Sequence, residues 1–92
     1  MTSEDMKKNL NKIMDYYGEE VQIEKLREET GELADELDNN DGEITLSMFG
    51  EMADELVMLL QFSEKYPLIL DIMNFKITRQ LGRIAKDKNP KL

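Results

Sequence analysis

Two clusters of carboxylates, Glu28-Glu29-x-x-Glu32 and Glu51-x-x-Asp54, are the residues of this chain whose type and spacing can do chemistry. Residues 33–50 separate them, enough chain to finish one helix, turn at Asn39-Asn40-Asp41-Gly42 and begin another. Two antiparallel helices would then gather the carboxylates in one place. Like charges a few ångströms apart raise each other's pKa and repel, so such a cluster is unfavourable by itself. A hard divalent cation resolves the conflict, because Mg²⁺ and Ca²⁺ prefer oxygen ligands. Metal binding is the chemistry expected of these residues.

Other routes to chemistry are closed by composition. With no cysteine there is no disulfide framework, zinc-thiolate site or thiol nucleophile. With no histidine the commonest general base and transition-metal ligand are missing as well. Carboxylates, amines, guanidinium groups, hydroxyls and bound metal remain. The formal charge of −8 argues against binding long nucleic acid through its phosphates. It leaves room for a small phosphorylated ligand, because a bound metal changes the local sign. No apolar stretch long enough for a signal peptide follows the N-terminal Met1-Thr2-Ser3-Glu4-Asp5. The longest apolar run, Leu56 to Leu60, is too short to cross a bilayer. A cytoplasmic location and no membrane partner are expected.

The elements that must position the carboxylates are helical. The 92 residues, 40% apolar with two prolines, suit one small globular domain, and Leu, Met, Glu and Lys favour helix over strand. Helix 1 is expected from Ser3, its N-cap, to Tyr17, with Gly18 as the stop. Helix 2 spans about Glu20 to Leu37, with Ile23, Leu26, Thr30, Leu33, Ala34 and Leu37 on its apolar face; Gly31 interrupts it at about 1 kcal/mol relative to alanine. Residues 38–43 form a turn, and Thr45 caps helix 3 over Leu46 to Lys65. Tyr66-Pro67 ends it, since the residue before proline avoids helical angles. Helix 4 runs from Leu68 to Lys86. The expected architecture is an all-α, four-helix bundle-like domain over residues 1–86, with a frayed tail at 87–92.

On these helices the carboxylates take definite angles. At about 100° per residue, Glu29 borders the apolar face of helix 2, Glu32 lies slightly further round and Glu28 furthest out. On helix 3 the broad apolar arc Leu46, Phe49, Met52, Ala53, Leu56, Val57, Leu59 and Leu60 reads as the core face. Glu51, Asp54 and Glu55 share the opposite stripe with Ser47, Met58 and Gln61. Asp54 and Glu55 flank the apolar arc almost symmetrically, so periodicity does not choose between them. A solvated stripe looks much the same, but Met58 and Phe62 interrupt it where a plain surface would be polar. Helix 4 carries a basic stripe, Lys76, Arg79, Arg83 and Lys86, suited to phosphate oxygens or to the helix C-terminus. Asn74 falls inside its apolar face of Leu70, Met73, Ile77, Leu81 and Ile84, where a buried amide needs a partner in the core or on a ligand.

Taken in order, these residues resemble the MazG-like, all-α nucleoside triphosphate pyrophosphohydrolase superfamily. The family's E-E-x-x-E, spacer, E-x-x-D signature stands here as Glu28-Glu29-Thr30-Gly31-Glu32 and Glu51-Met52-Ala53-Asp54. The lead-in Gln22-Ile23-Glu24-Lys25-Leu26 is similar to the Q-x-x-K/A-L segment of short members. Asn74-Phe75-Lys76-Ile77-Thr78-Arg79 is similar to the N-x-K-x-x-R element of a later helix. The likeness covers about residues 18–84.

The resemblance implies hydrolysis between the α and β phosphates of a nucleotide, with release of monophosphate and pyrophosphate. It maps Glu29, Glu32, Glu51 and Asp54 onto ligands of Mg²⁺, or of Mn²⁺ in its place. It sets Gln22, Lys25, Asn74, Lys76 and Arg79 on the substrate side. Asn74 and Lys76 lie about 200° apart on one helix, so both enter one pocket only if it lies partly between subunits or the helix is distorted. Glu28 or Glu32 is the expected catalytic glutamate that orients or deprotonates the attacking water. Base selectivity would come from walls such as Tyr16, Tyr17 and Met58. A homodimer or homotetramer is implied, in keeping with Leu68, Ile72 and Phe75 outside the main apolar face of helix 4 and with the small size of the domain. Two other functions compete: a phosphoribosyl-ATP pyrophosphohydrolase, and a non-catalytic acidic helical module that binds a basic protein.

Overall fold

The computed structural model describes residues 1–87 and is all-helical over them. Four helices follow one another: α1 (Ser3–Tyr17), α2 (Glu19–Asn39), α3 (Leu46–Lys65) and α4 (Leu68–Lys86). Local chemistry sets each boundary. Thr2, one residue before the expected cap, opens α1: its hydroxyl accepts from Asp5 N at 3.1 Å while the Asp5 carboxylate accepts from Thr2 N at 3.4 Å. Gly18, at φ +86°, is the single-residue joint between α1 and α2; other residues rarely adopt that angle. Asn40 closes α2 by donating its side chain to Glu36 O at 2.8 Å, so the helix runs two residues beyond the expected Leu37. Asp41 and Gly42, both at positive φ, reverse the chain. The hydroxyl of Thr45 then accepts from Met48 N at 3.3 Å to open α3. Tyr66-Pro67 breaks α3 from α4 as expected. Asp87 caps α4, and the rest of the expected frayed tail, residues 88–92, lies outside the described residues.

Helices α1, α2 and α3 pack on one another, with α2 and α3 antiparallel: Gln22 meets Gln61 and Thr30 meets Glu55. Asn11 on α1 reaches Glu64 on α3 at 3.2 Å, and the Tyr66 hydroxyl donates to Glu19, tying the end of α3 to the start of α2. The buried apolar residues are Leu10, Met14, Met48 and Met58. Among the described residues, helix α4 touches α3 alone, and every residue along it is exposed. The radius of gyration is 16.3 Å, against about 12 Å for a compact chain of this length. The four expected helices are present, but the fourth does not close over the other three.

The structure also turns α3 over. Its side toward α2 carries Met48, Met58 and Gln61, all buried, with Glu51, Glu55 and Phe62 half-buried. Much of the apolar arc that reads as core in the sequence is exposed, Leu46, Phe49 and Leu59 among it, while Ala53, Leu56, Val57 and Leu60 line a groove with Leu10 and Ile13 of α1. Helix α2 is rotated less. Gln22 and Glu29 are buried there while Ile23 is 45% exposed, a turn of about 60° from the apolar centre. The reason is that α3 has two buriable faces. Its methionine and glutamine side packs against α2, and its leucine side is only partly covered, by α1.

Candidate metal centre

Where α2 meets α3, Glu29, Glu51 and Asp54 each bring one carboxylate oxygen to within 4.8 Å of the others. Oxygens on opposite sides of one ion stand about 4.2 Å apart around Mg²⁺ and about 4.8 Å apart around Ca²⁺. The three oxygens would therefore have to draw closer to share one ion. They grade from buried Glu29 through half-buried Glu51 to exposed Asp54, which leaves one side open to an incoming ligand.

The polar contacts around the triad are incomplete. Glu29 Oε1 takes the Lys25 ammonium at 3.3 Å, an ion pair at (i, i+4) on α2. Glu29 Oε2 and Glu51 Oε2 are both buried and have no hydrogen-bond partner among the described residues. A buried carboxylate oxygen without a partner is costly, and two of them facing one cluster suit a bound cation. All the donors are oxygens and no soft ligand stands among them, which favours Mg²⁺, Mn²⁺ or Ca²⁺ over zinc or copper.

Of the four expected ligands, the structure brings Glu29, Glu51 and Asp54 together and leaves Glu32 outside the triad. Glu32 is exposed but close by: repulsion from Glu29 first, then partial burial, Glu51 and Glu28 hold its carboxyl above the usual glutamate range, with Lys25 opposing. Glu28 points to solvent and pairs with Lys25 at 3.7 Å. The tie between Asp54 and Glu55 is broken, because Glu55 accepts from the Thr30 hydroxyl at 2.8 Å while Asp54 joins the triad. Thr30 is thus exposed and bridging rather than part of an apolar face. The Lys25 ammonium is shifted up, chiefly by its hydrogen bond to Glu29 and by Glu28.

Next to the triad lies a pocket of about 420 Å³ that includes Glu29, Asp54 and Lys25 in its lining. Its apolar walls are Ile13, Tyr17, Val21, Val57 and Met58. Two buried amides complete it: Gln22, 4% exposed, donates from Nε2 to Oε1 of Gln61, 1% exposed, at 2.8 Å. The sequence reading has Gln22, Lys25, Tyr17 and Met58 near substrate, and all four line this pocket. Tyr16, the remaining expected wall, is 81% exposed and does not. Gln61 is the residue that the sequence reading leaves on an outer stripe. The interruptions at Met58 and Phe62 were the signal that this stripe is not a free surface.

Asn74, Lys76 and Arg79 are not brought to the triad within the chain, since among the described residues α4 contacts only α3 and is exposed throughout. The Asn74 side chain is accordingly not the buried amide its place on the apolar face suggests.

Compared with known proteins, the chain matches no protein-family model, no curated protein and no solved structure.

Proposed function

We propose that this chain is a metal-dependent nucleotide pyrophosphohydrolase, cleaving a nucleoside or deoxynucleoside triphosphate between its α and β phosphates, as the MazG-like resemblance implies. The observation that supports this above others is the triad Glu29, Glu51 and Asp54, with two buried carboxylate oxygens short of a partner among the described residues, beside an apolar-walled pocket. An acidic surface used only for protein contacts has no need of buried, unpartnered carboxylate oxygens.

In this reading Glu29, Glu51 and Asp54 hold Mg²⁺ or Mn²⁺. When bound, the ion supplies positive charge that neutralises the phosphates and polarises the anhydride. Lys25, beside Glu29, adds a mobile ammonium for a phosphate oxygen. Glu32 takes the proton of the attacking water. Among the described residues it has no ion pair, and it stands close to the triad, within the field of Glu29 and Glu51. Glu28 is the lesser candidate because Lys25 engages it. Water adds to phosphorus, the bridging oxygen departs with the pyrophosphate, and the base returns its proton to solvent.

The same reading includes a homo-oligomer, dimer or tetramer. The chain exposes 7678 Å², roughly 2,000 Å² more than a compact protein of 10.7 kDa. A standard interface needs only about 800 Å² from each partner. Charge favours the same arrangement: residues 1–67 hold 18 acidic and 6 basic side chains, whereas α4 holds four basic and one acidic. A basic α4 from one copy laid along the acidic helices of another would carry Asn74, Lys76 and Arg79 toward a triad they cannot reach in their own chain.

The test is pyrophosphate release from a panel of ribo- and deoxynucleoside triphosphates plus phosphoribosyl-ATP, with Mg²⁺ and with EDTA, for the wild type and Glu29→Gln. Release that requires Mg²⁺ and disappears in the variant supports the reading and names the substrate class. If folded protein releases nothing and Mg²⁺ leaves its melting temperature unchanged, the chain returns to the acidic interaction modules.

A further inference from the structure

The Gln22–Gln61 amide pair is not explained by phosphate chemistry. Both side chains are more than nine-tenths buried, and burying an amide costs free energy that an apolar residue of the same shape would avoid. The pair satisfies itself only in part. Gln22 Nε2 donates to Gln61 Oε1 at 2.8 Å and meets the Met58 sulfur at 3.9 Å, while among the described residues no donor reaches Gln22 Oε1, which is not itself sealed from solvent. The Nε2 of Gln61 has only the Met58 sulfur at 3.6 Å, a weak acceptor. Two helices thus contribute an amide edge with one acceptor and one donor to spare, set in a pocket with the apolar walls described above.

The register adds a length. Gln22 precedes Glu29 by seven residues on α2, and Gln61 follows Asp54 by seven on the antiparallel α3. The amide pair therefore stands two helical turns, about 10 Å, along the helices from the carboxylates. That spacing accommodates a planar ring and a sugar between the amides and the metal-binding end. A nucleobase has what the amides lack, a donor and an acceptor side by side on the edge of a flat ring whose faces are apolar.

We infer that the Gln22–Gln61 pair is a base-reading element: it hydrogen-bonds the edge of the substrate's nucleobase, between walls that include Tyr17 and Met58, and makes this chain selective for base-bearing phosphates over base-free ones. The inference rests on the nucleotide reading above and adds Gln61 as a specificity-determining residue. Breaking the pair by one substitution would strand the other amide, whereas replacing both with apolar residues of like shape leaves none unpaired. The double variant Gln22→Met/Gln61→Met is accordingly the informative one.

The experiment titrates ¹⁵N-labelled protein, with Mg²⁺, against the 5′-monophosphates of adenosine, cytidine, guanosine and uridine, and against ribose 5-phosphate as the base-free control. The side-chain amide signals of Gln22 and Gln61 are followed. At least one nucleotide is expected to shift both signals and to bind more tightly than ribose 5-phosphate. The double variant is expected to lose about tenfold in affinity for that nucleotide, the equivalent of one good hydrogen bond, with its affinity for ribose 5-phosphate unchanged. Unmoved amides, or a folded double variant that keeps its preference for the nucleotide, overturn the inference and leave the pair as a helix-to-helix tie. The pyrophosphate assay is separate. Amide shifts in a protein that releases no pyrophosphate would sink the hydrolase reading and keep the base-reading one, and the converse result would do the opposite.

Discussion

The Lys25 ammonium lies 3.3 Å from Glu29 Oε1, while the other oxygen of the same carboxylate is buried without a partner among the described residues. Without metal, then, a half-exposed lysine is the nearest counter-charge to the triad, and it neutralises only one side of it. Under the proposed metal reading, the ion and Lys25 would compete for Glu29.

Removing the lysine should strengthen metal binding and weaken phosphate binding. In Lys25→Met, Mg²⁺ affinity measured by calorimetry without nucleotide should rise severalfold, a modest effect because the ammonium is partly screened by solvent. Nucleotide affinity at saturating Mg²⁺ should fall. A fall in both would show that Lys25 holds the triad in shape rather than competing for it.

Metal and stability should be linked through the same three residues. At ten times its dissociation constant, an ion that binds only the folded chain stabilises it by about 1.4 kcal/mol. For a chain this short that is roughly 5–10 °C in melting temperature. Glu29→Gln, Glu51→Gln and Asp54→Asn should each abolish most of the rise while matching or exceeding the wild type in EDTA, since each removes a repelling charge. A comparable Mg²⁺ rise in all three variants would place the ion elsewhere.

The helices themselves were legible in the sequence because their ends are local events. Thr45, Gly18 and Tyr66-Pro67 act within a few residues, and α3 and α4 begin and end where those signals put them. The facing of α3 was not legible, because periodicity locates an apolar arc but not what covers it. The Leu46–Leu56 side is only partly covered, by α1, and the Met58–Gln61 side is packed against α2. The carboxylate triad was largely readable, since Glu29, Glu51 and Asp54 follow from spacing once α2 and α3 are antiparallel. The E-x-x-D spacing already pointed to Asp54 where periodicity left it tied with Glu55, and the Thr30 hydroxyl on Glu55 accords with that; finding the Gln22–Gln61 pair required residues 39 positions apart to meet. Neither contact leaves a mark in local sequence.

Acidity should act on the metal-free protein through Glu32. Its carboxyl titrates above the ordinary glutamate value of about 4.3 because Glu29, and then burial, Glu51 and Glu28, disfavour its charge. In the window between the ordinary value and the raised one, the folded chain binds more protons than the unfolded chain, so stability falls as pH rises. Melting temperature in EDTA should decline across that window, and less steeply in Glu32→Gln. Saturating Mg²⁺ should reverse the slope, because a cation at the triad favours the ionised carboxylates. An identical pH profile for wild type and Glu32→Gln would remove Glu32 from the cluster's electrostatics.

The partly covered side of α3 gives the last prediction. Leu56 is 54% exposed and Leu59 47% exposed in the single chain. If solvent covered that face, charging it would change stability by no more than about 0.5 kcal/mol, as at an ordinary surface. If a second copy covers it, Leu56→Glu places an unpaired charge in an apolar interface and should dissociate the assembly. The mass in solution, measured by light scattering after size exclusion, should then fall from a multiple of 10.7 kDa toward that value. Pyrophosphate release should fall with it, since Asn74, Lys76 and Arg79 would no longer be supplied by another chain. A Leu56→Glu protein that keeps both its mass and its activity would mean that the leucine face is not where the copies meet.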